Sequence, residues 1–208
     1  MTIVLIDYGS GNLQSATKAF EHAVVETGMT SRVEVTENAA ALSNASHIVL
    51  PGVGTFGDCR AGLDTLPGMA EALESEVKVK GKPFLGICVG MHLMAERGLE
   101  HGIHDGLSWI PGEVRALEPD NKTLKIPHMG WNQLDVVRPH PVLDGIGPGT
   151  HFYFVHGYEI VCAEKKHILT TSDYGGAVTS MVARDNLLGT QFHPEKSQDA
   201  GLRLIANF

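Results

Sequence analysis

Apolar residues in the first half of the chain fall into short continuous runs, and the segments between them repeat at helical spacing. Residues 3–7, IVLID, read as a strand buried on both faces, and Leu13, Ala16, Phe20, Ala23 and Val24 then line one face of a helix. Further strands are expected at Arg32–Val35 and His47–Leu50, helices at Cys59–Leu66 and Met69–Val79, and another strand from Pro83 to Ile87. Apolar strands alternating with helices predict a parallel, doubly wound sheet with helices on both faces. From Val114 onward the pattern changes to short strands punctuated by turn signals at residues 119–121, 140–149 and 184–186. That half is expected to add antiparallel strands and hairpins, with a helix over Gln198–Asn207 closing the chain. The fold class is therefore α/β, with a mostly parallel central sheet and antiparallel additions in the C-terminal half.

Candidate chemistry enters where the fourth strand ends. Pro83–Ile87 runs into Gly86-Ile87-Cys88-Val89-Gly90, and helix-forming residues follow. This is the strand–sharp turn–helix layout of a nucleophile elbow, with cysteine as the central residue. Glycines on both sides allow the bend without Cβ clashes, and a helix N-terminus at Cys88 favours thiolate over thiol. The competing reading is a buried structural cysteine. Near the other end, Gly189-Thr190-Gln191-Phe192-His193-Pro194-Glu195 places a histidine two residues before a carboxylate. A cysteine nucleophile needs a base to take its proton, and the base needs an orienter. Read alone, His193 and Glu195 are ordinary loop residues.

Taken together, GICVGM and QFHPE resemble the class I (triad) glutamine amidotransferases, which hydrolyse glutamine to glutamate and ammonia. Residues 50–58, LPGVGTFGD, are similar to that family's oxyanion strand. DYGSGNLQS at 7–15, IPHMGWNQL at 126–134 and FYFVHGYE at 152–159 resemble the branch that serves histidine biosynthesis. The likeness runs from Ile6 to Lys196. It implies flavodoxin-like layering and a single amidotransferase domain over residues 1–208, because any cut between the halves separates Cys88 from His193. It also implies that Cys88 attacks the glutamine amide, that His193 moves the proton and that Glu195 orients His193. Val89 and Val53 are then the oxyanion-hole residues, and Gly52, Gly54, His92, Tyr153, Gly157 and Tyr158 the expected substrate contacts. In this branch the glutaminase forms a heterodimer with a cyclase subunit, a (β/α)8 barrel. Tyr8, Asn12, Met129, Trp131, Asn132 and Lys196 are expected to face it. No cofactor is implied. One position departs from the family: His92 stands where glutamine is usual. A histidine there suggests a glutamine KM that titrates near neutral pH. The alternatives are an amidotransferase of the para-aminobenzoate, anthranilate or vitamin B6 pathways, an elbow-cysteine peptidase, or an inactive binding subunit.

Composition narrows the classes further. A net charge of −8 without any basic run argues against a nucleic-acid partner. Cys59, Cys88 and Cys162 cannot all pair and lack metal-ligand spacing, so a reducing compartment and no metal are expected. The N-terminal segment has no basic n-region and soon turns polar, which suggests neither a signal peptide nor a membrane anchor. Cytoplasmic residence is the expectation.

Overall fold

Val4, Leu5 and Ile6 are fully buried, as a strand covered on both faces requires. The computed structural model describes residues 1–208. The chain opens with β1 (Thr2–Ile6), α1 (Leu13–Glu26), β2 (Arg32–Thr36), β3 (His47–Gly52), α2 (Phe56–Thr65), α3 (Met69–Leu73), β4 (Phe84–Cys88) and a single turn, α4 (Val89–His92). It continues with β5 (Ala95–Gly98), β6 (His104–Asp105), β7 (Ile110–Ala116), β8 (His128–Gln133), β9 (Asp135–Val136), β10 (His151–His156) and β11 (Tyr158–Cys162). Strands β12 (Ile168–Asp173), β13 (Ala177–Arg184) and β14 (Leu187–Thr190) lead into the last helix, α5 (Gln198–Asn207).

The main sheet has the order β2-β1-β3-β4-β14-β13-β12-β9. Its first five strands are mutually parallel, and β13, β12 and β9 extend it in antiparallel fashion. Helix α1 buries Ala16, Ala19, Phe20 and Ala23, with Leu13 and Val24 at the margin of that stripe, and packs beside α5. Helices α2, α3 and α4 form a separate group. Thr55 caps α2 by accepting the Asp58 N–H at 3.1 Å, which satisfies one orphan donor of its first turn.

The second half departs from the expected pattern in two ways. A second sheet, β11-β7-β5-β6, and a separate two-stranded ribbon, β8-β10, stand apart from the main sheet. The run after Cys88 is also not a full helix: α4 ends after four residues, and Ala95–Gly98 is strand. Helix propensity in MHLMAERG is overridden by tertiary pairing, since β5 joins β6 and β7. Gly98 and Gly106 make that pairing possible. A Cβ at Gly98 would lie 2.4 Å from the Phe56 ring, and one at Gly106 would lie 2.0 Å from the Ala95 carbonyl oxygen. Buried side chains of both sheets form one cluster, running from Val4 and Phe20 through Trp109 and Ile160 to Leu204. Phe84 and Trp109 join the layers by an edge-to-face contact with centroids 4.9 Å apart.

Register positions the site. Gly52 is opposite Cys88 on β3 and β4, and Thr190 is opposite Ile87 on β14 and β4. Residues just after β14 therefore emerge beside the elbow. All of this happens at the carboxyl ends of the parallel strands, where open α/β sheets bind ligands.

Candidate active site

Cys88 has φ 54° and ψ −112°, a conformation that non-glycine residues rarely adopt. Such strain at the end of a central strand is the signature of an elbow nucleophile. The flanking glycines serve the purpose expected of them, avoiding Cβ clashes at the bend, and do so without left-handed torsions. Neither has positive φ. A Cβ at Gly86 would lie 2.5 Å from the Gly90 carbonyl oxygen, and one at Gly90 only 1.8 Å from that of Leu50. They permit the turn to fold back onto β3 and onto itself. The short α4 also corrects the electrostatic expectation: one turn has little macrodipole, so the polar surroundings of the sulfur come from His193.

His193 follows β14 and is fastened by its backbone. Its N–H donates to the Tyr153 carbonyl at 3.0 Å, and its own carbonyl accepts the Ser197 hydroxyl at 2.7 Å. Ser197 Oγ in turn accepts the Tyr153 N–H at 3.0 Å. The ring Nδ1 lies 2.8 Å from Glu195 Oε1, and both side chains are only 3% exposed. Pro194 opens the short turn that holds the two in this relation. Burial works against a charge on the ring, but hydrogen bonding to Cys88 and Glu195 outweighs it and raises His193 to about 10. The histidine is therefore an imidazolium beside the sulfur at neutral pH. Nucleophile, proton carrier and orienting carboxylate, far apart in sequence, are brought together.

A cavity of about 210 Å³ opens onto Cys88 and His193. Its other walls include Val53, Gly54, Val89, His92, Glu100, Val155, His156, Gly157 and Tyr158. The Val53 carbonyl accepts the Ser10 hydroxyl, and the Cys59 thiol approaches it at 3.7 Å. These contacts anchor the segment that carries Val53. Gly54 has φ 124°, which favours glycine at that bend.

Several expected roles need correction. Gly52 does not line the cavity; a Cβ there would lie 2.6 Å from Gly90 N and 2.7 Å from Tyr8 Oη, so it packs beneath the elbow. Tyr153 also lies outside the cavity and acts through its backbone on His193. Tyr8 is 4% exposed and sits under Gly52 and Gly62, where it cannot meet a partner. The Asn132 amide turns inward, donating to the Asp173 carbonyl at 2.9 Å. Asn12 is half-buried and Lys196 exposed, while Met129 and Trp131 are 63% and 48% exposed.

His92 does line the cavity, but burial lowers its pKa to about 4 and its Nε2 lies 2.8 Å from Gln191 Oε1. It is neutral across the neutral range, so the expected titration of glutamine KM near neutral pH does not arise from it. Burial also lowers His128 to about 4 and His156 to about 3. Each of the three binds a proton on unfolding once the pH drops below the ordinary value of 6.5. The stability they contribute is present above that value and is lost as pH falls toward 4 and then 3. The urea midpoint is expected to be lower at pH 5 than at pH 7, and His92→Gln is expected to shrink the difference. Equal midpoints in the unsubstituted chain would contradict this reading.

Glu100, Gln191 and His156 were not singled out as contacts. Gln191 was within reach of sequence reasoning: it is the residue after Thr190, so strand register sets it level with Cys88, and its Nε2 lies 3.9 Å from the sulfur. Glu100 carried no signal, because the segment before it reads as helix. Its Oε2 accepts the Phe56 N–H at 2.7 Å. No group of three His, Cys, Asp or Glu side chains is placed to hold a metal ion, and no helix is long and apolar enough to cross a membrane.

A strained elbow cysteine and a histidine–glutamate pair at the rim of a doubly wound sheet define a triad hydrolase class. The family model "Glutamine amidotransferase class-I" matches residues 4–208, and the chain belongs to that family. It is 54% identical over 211 residues to the imidazole glycerol phosphate synthase subunit HisH of Brucella suis, spanning all of this chain and 98% of that protein. The subunit of the same name from Rhodospirillum rubrum is 54% identical over 209 residues, with the same coverage. Among solved structures, a glutamine amidotransferase from Thermotoga maritima aligns with TM-score 0.66 and 17% identity, covering 94% of this chain and 76% of that one, a likeness of fold.

Proposed function

We propose that this chain is the glutamine-hydrolysing subunit of an imidazole glycerol phosphate synthase. The observation that carries the reading is Cys88 and His193 on the wall of one cavity, with Glu195 behind the His193 ring, in a chain 54% identical to such subunits. The Cys88 thiolate attacks the side-chain amide carbon of glutamine. Charge moves to the amide oxygen, where the Val89 and Val53 N–H groups are the donors; one such donor is worth about 10²–10³ in rate. The C–N bond breaks as His193 gives its proton to the nitrogen, and ammonia leaves. Water, deprotonated by His193, then attacks the γ-glutamyl thioester; glutamate leaves, and the Cys88 thiolate and the protonated His193 are restored. Glu195 holds the His193 ring in place throughout. Glu100 offers a carboxylate to the substrate's ammonium, and the Gly157–Tyr158 backbone faces its carboxylate end.

Free ammonia becomes ammonium in water, so the product must reach a second site without meeting solvent. That site belongs to a cyclase subunit, a (β/α)8 barrel, which makes imidazole glycerol phosphate and aminoimidazole carboxamide ribonucleotide. The outward face of the β8–β10 ribbon suits such a partner. Met129 and Trp131 are exposed there, Tyr153 and Val155 are half-buried beside them, and Val155 is also a wall of the cavity. Asn12 and Lys196 complete the proposed contact. An exposed tryptophan at an interface centre is typically worth about 2 kcal/mol or more. Trp131→Ala is expected to weaken cyclase binding by about 30-fold, read by titration calorimetry; unchanged affinity would move the interface elsewhere.

The test of the function is glutamate release from glutamine by this chain alone, and then with the cyclase subunit and its acceptor ligand. Strong stimulation is expected. Peptide cleavage, or no glutamate under either condition, would overturn the proposal.

A further inference from the structure

The inner face of the β8–β10 ribbon carries a directed chain of hydrogen bonds that ends at the cavity wall. His128 and His156 lie directly opposite each other across the ribbon, and His128 Nδ1 is 2.9 Å from His156 Nε2. His156 Nδ1 donates to the Tyr158 carbonyl at 2.8 Å. At the other end, Asn132 Nδ2 lies 3.2 Å from His128 Nε2. The orientation of that amide is fixed, because Nδ2 also donates to the Asp173 carbonyl and Oδ1 accepts the Gln133 N–H, both at 2.9 Å.

Every donor and acceptor in the series has one consistent assignment. Asn132 donates to His128 Nε2, so the His128 proton is on Nδ1. That proton goes to His156 Nε2, so the His156 proton is also on Nδ1 and binds Tyr158. His128 is clamped in plane between Phe154 and Tyr174, with ring centroids 4.7 and 4.0 Å away. The two imidazoles are buried, and burial keeps both neutral at neutral pH, as the series requires.

We propose that His128 is a positioning residue for substrate binding: it fixes the tautomer of His156, which holds the Tyr158 carbonyl and with it the wall formed by His156, Gly157 and Tyr158. His128 itself does not line the cavity. The inference rests on the proposed glutaminase function, since that wall is taken to face the carboxylate end of glutamine. It also links the two faces of one ribbon. Met129 and Trp131 point outward to the partner, while His128 and Asn132, on the alternate positions, point inward to the wall.

Two readouts test the proposal on the full chain. Nitrogen-15 NMR of the unsubstituted protein near pH 7 is expected to show the Nδ1–H tautomer for both His128 and His156; an Nε2–H tautomer at either would overturn it. In glutamate release with the cyclase present, His128→Phe keeps the stacked ring but deletes the donor. It is expected to raise glutamine KM about tenfold, one neutral hydrogen bond, with kcat little changed. His128→Asn places an amide N–H where Nδ1–H was and is expected to restore most of that loss. Unchanged KM in His128→Phe, or equal impairment in both variants, would overturn the role. Should the unsubstituted protein release no glutamate, the glutaminase reading falls, and the tautomers still decide the hydrogen-bond series. They also decide it if His128→Phe does not fold.

Discussion

Cys88→Ser is expected to reduce partner-stimulated glutamate release by about 10⁴-fold or more, the scale seen when a triad nucleophile is removed. The hydroxyl fits the same strained elbow, so folding and cyclase binding should persist. The loss is chemical: a serine hydroxyl is a far weaker acid than a thiol, so His193 removes its proton far less readily and the alkoxide nucleophile is scarce. Neither remaining cysteine can take over. Cys59 is fully buried beneath Val53, and burial raises its pKa; Cys162 is pushed up to about 12 by burial. Glutamate production measured enzymatically, with calorimetry to check partner binding, separates loss of chemistry from loss of assembly. A serine variant within tenfold of the parent would remove Cys88 from the mechanism.

Gly90→Ala is the second large effect, and it acts on the fold. Its Cβ would lie 1.8 Å from Leu50 O and 2.9 Å from Leu50 C. Those are backbone atoms of β3, which is paired to β1 on one side and β4 on the other and cannot retreat. Overpacking costs about 1–3 kcal/mol where side chains can move aside. With only backbone to move, a loss of at least about 3 kcal/mol is expected, together with a displaced elbow and lost activity. Gly147→Ala provides the control, since nothing lies within 4 Å of its Cβ and its φ is not positive. That change should stay within about 0.5 kcal/mol. Urea unfolding of the two variants gives the comparison, and equal midpoints would refute the steric account of the elbow.

Much of the parallel layer was legible because its strands are buried on both faces and read as unbroken apolar runs. The ends of α5 coincide with those expected. The second sheet was not legible, because β5 lies in a helix-favouring stretch whose fate is decided by Gly98 and Gly106 packing against distant residues. Residue types and spacing announced Cys88, His193 and Glu195, since elbow chemistry constrains the local sequence. Gln191 follows from the register of β14 beside β4, whereas Glu100 gave no such local sign, because its position depends on how β5 pairs. Tyr8 misled for the same reason. A tyrosine in a polar loop reads as exposed, yet Gly52 and Gly62 leave room beneath the elbow for its ring. The His92 expectation failed on burial, which no local pattern reports.

Intact-mass and peptide-mass spectrometry of the complex, acid-quenched during turnover of glutamine, tests the central chemistry most directly. A γ-glutamyl thioester on the peptide that contains Cys88, absent from Cys88→Ser, is the predicted result. Turnover at full rate with no acylated species, or with the adduct on Cys59 or Cys162, would contradict it.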